Sequence, residues 1–208
     1  LIRRAVEYAT VPVLETGEGV CHIYVDKEAD IQMAADIIHN AKTSRCSVCN
    51  ACECMLIHQD IAAQALPVIA KKLLASGVTI KGDALSQAIL PGIAPAGEAD
   101  WGREYLDLTI ASRVVRDAEE ALAHIARYGT GHSEAIITGN RATASLFLSR
   151  VDAAAVYHNA STRFTDGGEF GFGAEIGIST QKLHARGPVG VKALTSYKYI
   201  IEGTGQTR

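Results

Sequence analysis

The feature that most constrains the fold of this chain is a regular alternation of strand and helix patterns in its second half. Three apolar runs typical of strands are separated by two amphipathic segments typical of helices, and Asp117 and Asn140 are favourable N-cap residues for the two helices. The predicted elements are strands at 106–115, 134–138 and 153–157 and helices at 117–128 and 141–150. This order is typical of βαβ units, so it predicts an α/β domain with a parallel βαβ core.

The first half of the chain contains the same two kinds of pattern with less regularity. Apolar residues at helical spacing, such as Ile31, Ala35 and Ile38, predict one helix, and a Ser-Gly pair at 76–77 predicts the end of another. The predicted elements are strands at 11–14, 21–25, 55–58 and around 78–80, and helices at 28–42 and 61–75. The tail at 196–201 reads as one more amphipathic strand.

Composition limits the class of protein. Hydrophobic residues make up 48% of the 208 residues, the formal net charge is −3, and no apolar run approaches the ~20 residues that a membrane helix needs. We therefore expect a globular protein without a membrane span, and no basic block indicates nucleic-acid binding. Five cysteines, an odd number, and no signal-peptide pattern favour the reducing cytoplasm over a disulfide scaffold. The chain begins at Leu1 in what reads as a helix, so we expect that a preceding region is missing from the sequence.

The candidate nucleophile is Cys49, in the run RCSVCNACEC at 45–54. A thiolate attacks an activated acyl carbon, and cationic neighbours or a helix start lower the thiol pKa from its ordinary ~8.5. Lys42 and Arg45 are close in sequence, and Ser47 and Asn50 favour a turn whose N–H groups could stabilise a thiolate and an oxyanion. The segment therefore predicts thioester chemistry.

A metal site is the alternative interpretation of the same segment. Cys46, Cys49 and Cys52 form a C-x2-C-x2-C pattern that could hold an iron–sulfur cluster or zinc. A ferredoxin-type run continues with three residues and a Cys-Pro pair, whereas Cys54 follows here after one residue and without a proline. We therefore expect no metal, and interpret Cys21, Cys46, Cys52 and Cys54 as small residues that fill the core.

Four motifs in the chain carry a family resemblance. They are ETG at 15–17, SVCNA at 47–51, FTDGGEFG at 164–171 and HARGP at 184–188. In this order they resemble the γ-glutamyl phosphate reductase family of the aldehyde dehydrogenase superfamily. The resemblance runs through the whole chain and covers about the C-terminal half of a typical family member.

The resemblance implies a division of the chain into three parts. Residues 1–15 would be the closing helix and strand of a Rossmann-type cofactor domain, 16–193 an aldehyde dehydrogenase-like catalytic domain, and 194–208 an oligomerisation strand. It also implies NADPH-dependent reduction of L-glutamyl 5-phosphate to L-glutamate 5-semialdehyde and phosphate, the second step of proline biosynthesis. The partners implied are a second copy in a homo-oligomer and, through functional coupling or fusion, glutamate 5-kinase.

The resemblance also assigns roles to residues. Cys49 would form the thioacyl intermediate, and Glu15 matches the general base of the superfamily, although a phosphate reductase has no water to activate and Glu15 could equally cap a turn. Glu104 would hold the nicotinamide ribose, with a solvated charge as the alternative. His132 could donate a proton or simply bond the end of a helix. Asn50 could bind the substrate or instead structure its loop, and Arg186 could bind it or instead brace the start of the oligomerisation strand, called the arm below. The residues considered for the substrate are Asn50, Arg163, Asp166, Glu169 and Arg186.

Two further functions remain open at this point. One is a CoA-acylating aldehyde dehydrogenase, which would use a thioester in place of the acyl phosphate. The other is a non-catalytic domain or oligomerisation module, because hydride transfer requires the cofactor domain. The oligomer size and the choice between NADPH and NADH cannot be derived from these residues.

Overall fold

The computed structural model describes the backbone of residues 1–208 and every side chain except that of Arg3. The helices are α1 (Ile2–Tyr8), α2 (Ile31–Thr43), α3 (Gln59–Ala75), α4 (Ala84–Ile89), α5 (Glu98–Trp101), α6 (Ala118–Tyr128) and α7 (Arg141–Arg150). The strands are β1 (Cys21–Val25), β2 (Cys52–His58), β3 (Thr79–Gly82), β4 (Ala94–Pro95), β5 (Thr109–Val115), β6 (Ser133–Ile137), β7 (Ala155–His158), β8 (Glu175–Ser179) and β9 (Gly187–Gly190). Short 3₁₀ turns cover Thr162–Phe164 and Val191–Leu194.

Seven strands form one sheet in the order β4-β3-β5-β2-β1-β6-β7, and every neighbouring pair is parallel. The predicted parallel α/β core is thereby confirmed. β8 and β9 form a separate antiparallel hairpin after the sheet. None of the described helices is both long enough and apolar enough to cross a membrane.

Side-chain alternation along the central strands builds two hydrophobic layers. Ile23 and Val25 of β1 pack on one face with α2 and α3, whereas Tyr24 points to the other face with α6 and α7. Both faces are covered by helices, so the central strands are buried throughout, as is usual for parallel sheets. On β2, Cys52 and Cys54 lie on opposite faces within these layers and fill the core as predicted.

The helix starts follow local capping chemistry. The carboxylates of Asp30 and Asp117 accept from the N–H groups of Met33 and Glu120, and Asn140 caps α7 by accepting from two N–H groups. The caps predicted at Asp117 and Asn140 are confirmed. Helix α2 begins three residues later than predicted, because its cap is Asp30.

Two predicted strands are absent from the described backbone, and a third is shorter than predicted. Residues 11–14 and 196–201 have no strand pairing, and Val11 and Tyr197 are exposed. An amphipathic segment becomes a strand only against the backbone of a partner, and neither segment has one within this chain. The strand predicted from 106 begins at Thr109, since Leu106 has a φ of 57°, in the left-handed region.

Candidate functional site

Cys49 lies in the loop 44–51, which joins the end of α2 to the start of β2. The strands β1, β2 and β6 begin at the same level, because Cys21 pairs with Cys52 and His22 with Glu134. The cysteine therefore sits at the amino ends of the central strands. The loop after β7 leaves the carboxyl end of a strand, which is where ligands of α/β domains usually bind. Its second part returns to the amino ends of the strands, because Thr165 lies beside Ser133 at the start of β6.

The chain before β1 runs directly against this loop. Its closest approach is at Gly19, where an added Cβ would overlap the carbonyl oxygen of Cys49. The N–H of Gly19 donates to the carboxylate of Glu104 at 2.9 Å, and Cys21 Sγ lies 3.2 Å from the Cys49 carbonyl oxygen. Glycine at position 19 thus allows two backbone segments to touch, and brings the Glu104 carboxylate to the side of the nucleophile.

The electrostatics at Cys49 differ from the prediction. Burial raises the pKa of the Cys49 thiol, and the carboxylates of Glu104 and Glu175 raise it further. The cysteine's own backbone N–H and the Arg163 guanidinium lower this pKa, but by less. The prediction that Lys42 would activate the thiol is wrong. Lys42 Nζ lies 2.6 Å from the Glu53 carboxylate, both fully buried, on the inner side of the loop.

Asn50 follows the nucleophile in sequence and forms hydrogen bonds with three residues of the loop after β7. Its amide donates to the carbonyl oxygen of Thr165 at 2.9 Å, its backbone carbonyl accepts from the Thr162 hydroxyl at 2.7 Å, and its side-chain oxygen accepts from the Arg163 guanidinium. The side chain is buried. These contacts support the alternative that Asn50 structures its loop, and leave little of its amide for a substrate.

The loop that follows β7 holds three of the residues expected to bind substrate. The Arg163 guanidinium also donates to Ser44 Oγ at 3.2 Å and borders a shallow cavity of about 220 Å³ with Phe164 and Glu169. Asp166 Oδ1 accepts from the N–H groups of Gly168 and Glu169, so it caps a turn of its own loop. Glu169 is exposed. Arg163 is thus linked to Cys49 through Asn50, whereas the Asp166 carboxylate bonds to backbone N–H groups of its own loop.

Neither of the other two predicted catalytic residues hydrogen-bonds to the Cys49 thiol in the described structure. The N–H of Glu15 donates to Gln181 Oε1 at 2.9 Å, and among the described side chains none bonds to the Glu15 carboxylate. His132 is buried with Nδ1 2.8 Å from Ser133 Oγ and 3.8 Å from Cys21 Sγ. Burial lowers the pKa of His132 to about 4, which leaves it neutral near pH 7 and favours a structural part over proton donation.

Arg186 lies outside this group. Its guanidinium forms an ion pair with Asp152 at 2.9 Å, and Lys182 pairs with the same carboxylate. The contact joins the segment between β8 and β9 to the end of α7. It supports the alternative that Arg186 braces the root of the arm.

One residue of the site was missed by the sequence analysis. Glu175, the first residue of β8, accepts from the N–H of Gly167 at 2.8 Å and acts on the Cys49 pKa. Burial raises the pKa of Glu175 itself. No local pattern marks this glutamate, because its place beside the loop depends on the hairpin β8–β9 folding back.

The cysteines of the C-x2-C-x2-C pattern are separated by the fold. Cys52 is in the core, whereas Cys46 and Cys49 lie in the loop before it. Among the described side chains, one other group could ligate a metal, namely His22, Cys54 and His124. The Arg113 guanidinium lies 3.0 Å from His124 Nδ1, which puts a positive charge beside these atoms and keeps the proton of His124 on Nε2. We assign no metal role to this group.

No family model matches the chain, whereas the comparisons with curated proteins and with solved structures agree with each other. The γ-glutamyl phosphate reductase of Clostridium beijerinckii is 62% identical over 208 residues, which are 100% of this chain and 50% of that protein. The chain spans about half the length of the curated relatives that it matches.

The solved structures agree. The crystal structure of γ-glutamyl phosphate reductase from Thermotoga maritima matches with a TM-score of 0.93 and 55% identity, over 100% of this chain and 50% of that chain. An acetylating aldehyde dehydrogenase from Geobacillus thermoglucosidasius matches with a TM-score of 0.72 over 100% of this chain and 55% of that chain. At 16% identity this second likeness concerns the fold alone, and confirms that the fold is aldehyde dehydrogenase-like. Sequence and structure together show that the chain belongs to the γ-glutamyl phosphate reductase family and spans about half the length of the curated members that it matches.

Proposed function

We propose that the protein containing this chain reduces L-glutamyl 5-phosphate to L-glutamate 5-semialdehyde and phosphate, with Cys49 as the nucleophile. The observation that carries the proposal is the state of Cys49, a free and incompletely buried thiol in a loop whose next residue is held by three hydrogen bonds. A fixed loop presents a thiol in one orientation, which a nucleophile requires.

The proposed reaction has two steps at the sulfur. The Cys49 thiolate attacks the acyl carbon, a C–S bond forms and the C–O bond to phosphate breaks, so that phosphate leaves with the electron pair. Hydride transfer to the carbonyl carbon of the thioester gives a thiohemiacetal oxyanion. This oxyanion re-forms the C=O bond, the C–S bond breaks and the aldehyde departs as the thiolate returns. The Cys49 backbone N–H, which lies beside its own sulfur, is suited to stabilise the oxyanion in both steps.

The hydride comes from a nicotinamide cofactor, which we propose to be NADPH. Glu104 fits the ribose of such a cofactor, since one carboxylate oxygen is used by Gly19 and the other has no hydrogen-bond partner among the described residues. Its contact with Gly19 would keep this carboxylate oriented beside the thiol. For the substrate, Arg163 is our candidate for the α-carboxylate, with Asp166 and Glu169 for the α-ammonium.

The raised pKa of the thiol has a consequence for this chemistry. At neutral pH Cys49 is mostly protonated, so the free chain holds the nucleophile in its less reactive form. Attack on the acyl phosphate therefore requires the thiol to lose its proton first. The Arg163 guanidinium, which lowers the Cys49 pKa, favours that step.

The wider setting follows from this activity. We propose a cytoplasmic homo-oligomer in which the three parts are those expected from the sequence, residues 1–15, 16–193 and 194–208, with the exposed tail pairing with a second copy. The substrate requires a kinase that phosphorylates the side-chain carboxyl group of glutamate, and we propose coupling to such a glutamate 5-kinase.

The test uses the complete protein and its Cys49→Ala variant. Phosphate-dependent reduction of NADP by glutamate 5-semialdehyde is followed by absorbance, with Cys46→Ala as the matched control from the same loop. We expect activity in the wild type and the control and a fall of at least ~10³-fold in Cys49→Ala. Activity that survives in Cys49→Ala, or that requires CoA in place of phosphate, would reject the proposal.

A further inference from the structure

Thr165 links the catalytic loop to the sheet by both of its polar groups. Its carbonyl oxygen accepts from the Asn50 amide, next to the nucleophile. Its hydroxyl lies 2.6 Å from Ser133 Oγ on β6 and 2.7 Å from the Tyr157 hydroxyl on β7. The side chain is fully buried, so both contacts are made without competition from water.

The contacts extend into a directed chain of hydrogen bonds. Ser133 Oγ is also 2.8 Å from His132 Nδ1, while His132 Nε2 is buried without a partner. An unpaired buried N–H is rarer than an unpaired acceptor, so the proton of neutral His132 belongs on Nδ1, which donates to Ser133. Ser133 then donates to Thr165, and Thr165 donates to the half-buried Tyr157. With this assignment the Ser133 and Thr165 hydroxyls each have a defined donor direction, ending at the Tyr157 oxygen as acceptor.

We propose that the Thr165 hydroxyl is a positioning group for Cys49, acting through Asn50. The hydrogen bonds from β6 and β7 fix the Thr165 backbone, and its carbonyl fixes the Asn50 amide at the amino edge of the sheet. The peptide joining Cys49 to Asn50 is thereby held, and with it the direction of the thiol. Thr165 itself touches neither thiol nor substrate, so its part is indirect.

The test compares Thr165→Val, which removes the hydroxyl at nearly constant volume, with Thr165→Ser, which keeps it. In the complete protein we expect Thr165→Val to lower kcat by about 10- to 100-fold with KM for the semialdehyde changed less than about threefold, because misplacement of a nucleophile affects the reacting state. Thr165→Ser should restore most of kcat. Tyr157→Phe, which cuts the far end of the chain, should have the smaller effect.

A second readout does not depend on the reaction. Amide hydrogen exchange in peptides covering 44–51 should be faster in Thr165→Val than in the wild type and normal in Thr165→Ser. Should Thr165→Val fail to fold, Ser133→Ala, which breaks the same contact from β6, is judged by both readouts.

Three outcomes would overturn the inference: kcat and exchange both unchanged in Thr165→Val, exchange increased equally in Thr165→Ser, or a loss that falls on KM alone. The activity readout rests on the proposed function, and the exchange readout does not. Retained activity in Cys49→Ala would therefore reject the reaction, while exchange would still decide whether Thr165 fixes the loop.

Discussion

At the scale of single residues, the environment of Cys49 combines a fixed backbone with a thiol whose pKa is raised. Contacts with Gly19 and Asn50 determine where the sulfur lies, whereas burial and two carboxylates determine its charge. Arg163 takes part in both, because its guanidinium bonds to Asn50 and lowers the Cys49 pKa. A substitution at Gly19 tests the position of the thiol, and one that removes only the charge of Glu104 tests its protonation.

The first prediction concerns the close approach at Gly19. In Gly19→Ala the new Cβ would overlap the Cys49 carbonyl, so we expect the loop to shift, activity to fall at least ~10-fold, and the free energy of unfolding to drop by about 1–3 kcal/mol. Gly17→Ala is the matched control, because a Cβ there meets no atom within 4 Å. Enzyme assay and urea unfolding measure both effects. Equal behaviour of the two variants would contradict the packing argument.

The second prediction concerns charge. Burial is the largest cause of the raised Cys49 pKa, and Glu104 adds to it. Glu104→Gln keeps an acceptor for the Gly19 N–H and removes the charge, so the pKa should fall and alkylation of Cys49 by iodoacetamide at pH 7 should become faster. The pH dependence of the alkylation rate, with Glu169→Gln as an exposed control, measures the shift. A slower rate in Glu104→Gln, or an unchanged one, would contradict this account.

At the scale of elements, the loop that carries Cys49 is closed at its base by the pair of Lys42 on α2 and Glu53 on β2. Burial raises the pKa of Glu53 to about 7, and the attraction of Lys42 opposes that rise. The pair spans the two ends of the loop from inside the domain. Its net contribution depends on the cost of burying both charges.

We expect the single and double replacements of this pair to differ. Lys42→Met leaves the Glu53 carboxyl buried without its partner and should cost about 3–5 kcal/mol of unfolding free energy. Lys42→Met combined with Glu53→Leu removes both groups and should recover most of that loss. Urea unfolding of the wild type and the variants measures the difference. A double variant as unstable as the single one would show that the attraction between Lys42 and Glu53 exceeds the cost of burying the two charges.

At the scale of the whole molecule, His124, buried on α6 against the sheet, makes stability depend on pH. Burial lowers the pKa of His124 to about 3, and His22 and Arg113 contribute to the shift. Above pH ~6.5 the ring is neutral in both the folded and the unfolded chain, so it has no effect. As the pH falls below 6.5 the unfolded chain takes up a proton that the folded chain does not, and stability is lost.

The pH dependence of unfolding should reveal the contribution of His124. Between pH 7 and pH 5 the His124 contribution should lower the free energy of unfolding by about 2 kcal/mol. In His124→Gln, whose amide oxygen can still accept from Arg113, that part of the loss should vanish. Urea unfolding at the two pH values compares the variant with the wild type. The same loss in both would mean that His124 takes up its proton equally in the folded and the unfolded chain.

The sequence by itself determined the kinds of elements, their parallel arrangement and the position of the candidate nucleophile between a helix and a strand. Periodicity and N-caps such as Asp117 depend on neighbouring residues only, so they can be predicted without knowledge of the fold. Where pairing requires another backbone, as at 11–14 and 196–201, the same patterns predicted strands that this chain does not form.

Only the tertiary structure decided which charges surround Cys49 and which distant residues hold its loop in place. Lys42 turns inward to Glu53, Glu175 arrives from a distant hairpin, and Thr165 reaches Asn50 across more than a hundred residues of sequence. Closeness in sequence suggested that Lys42 would lower the Cys49 pKa. In the folded chain, burial and the carboxylates of Glu104 and Glu175 raise this pKa instead. A pKa depends on distances and desolvation in three dimensions, and local sequence patterns carry neither.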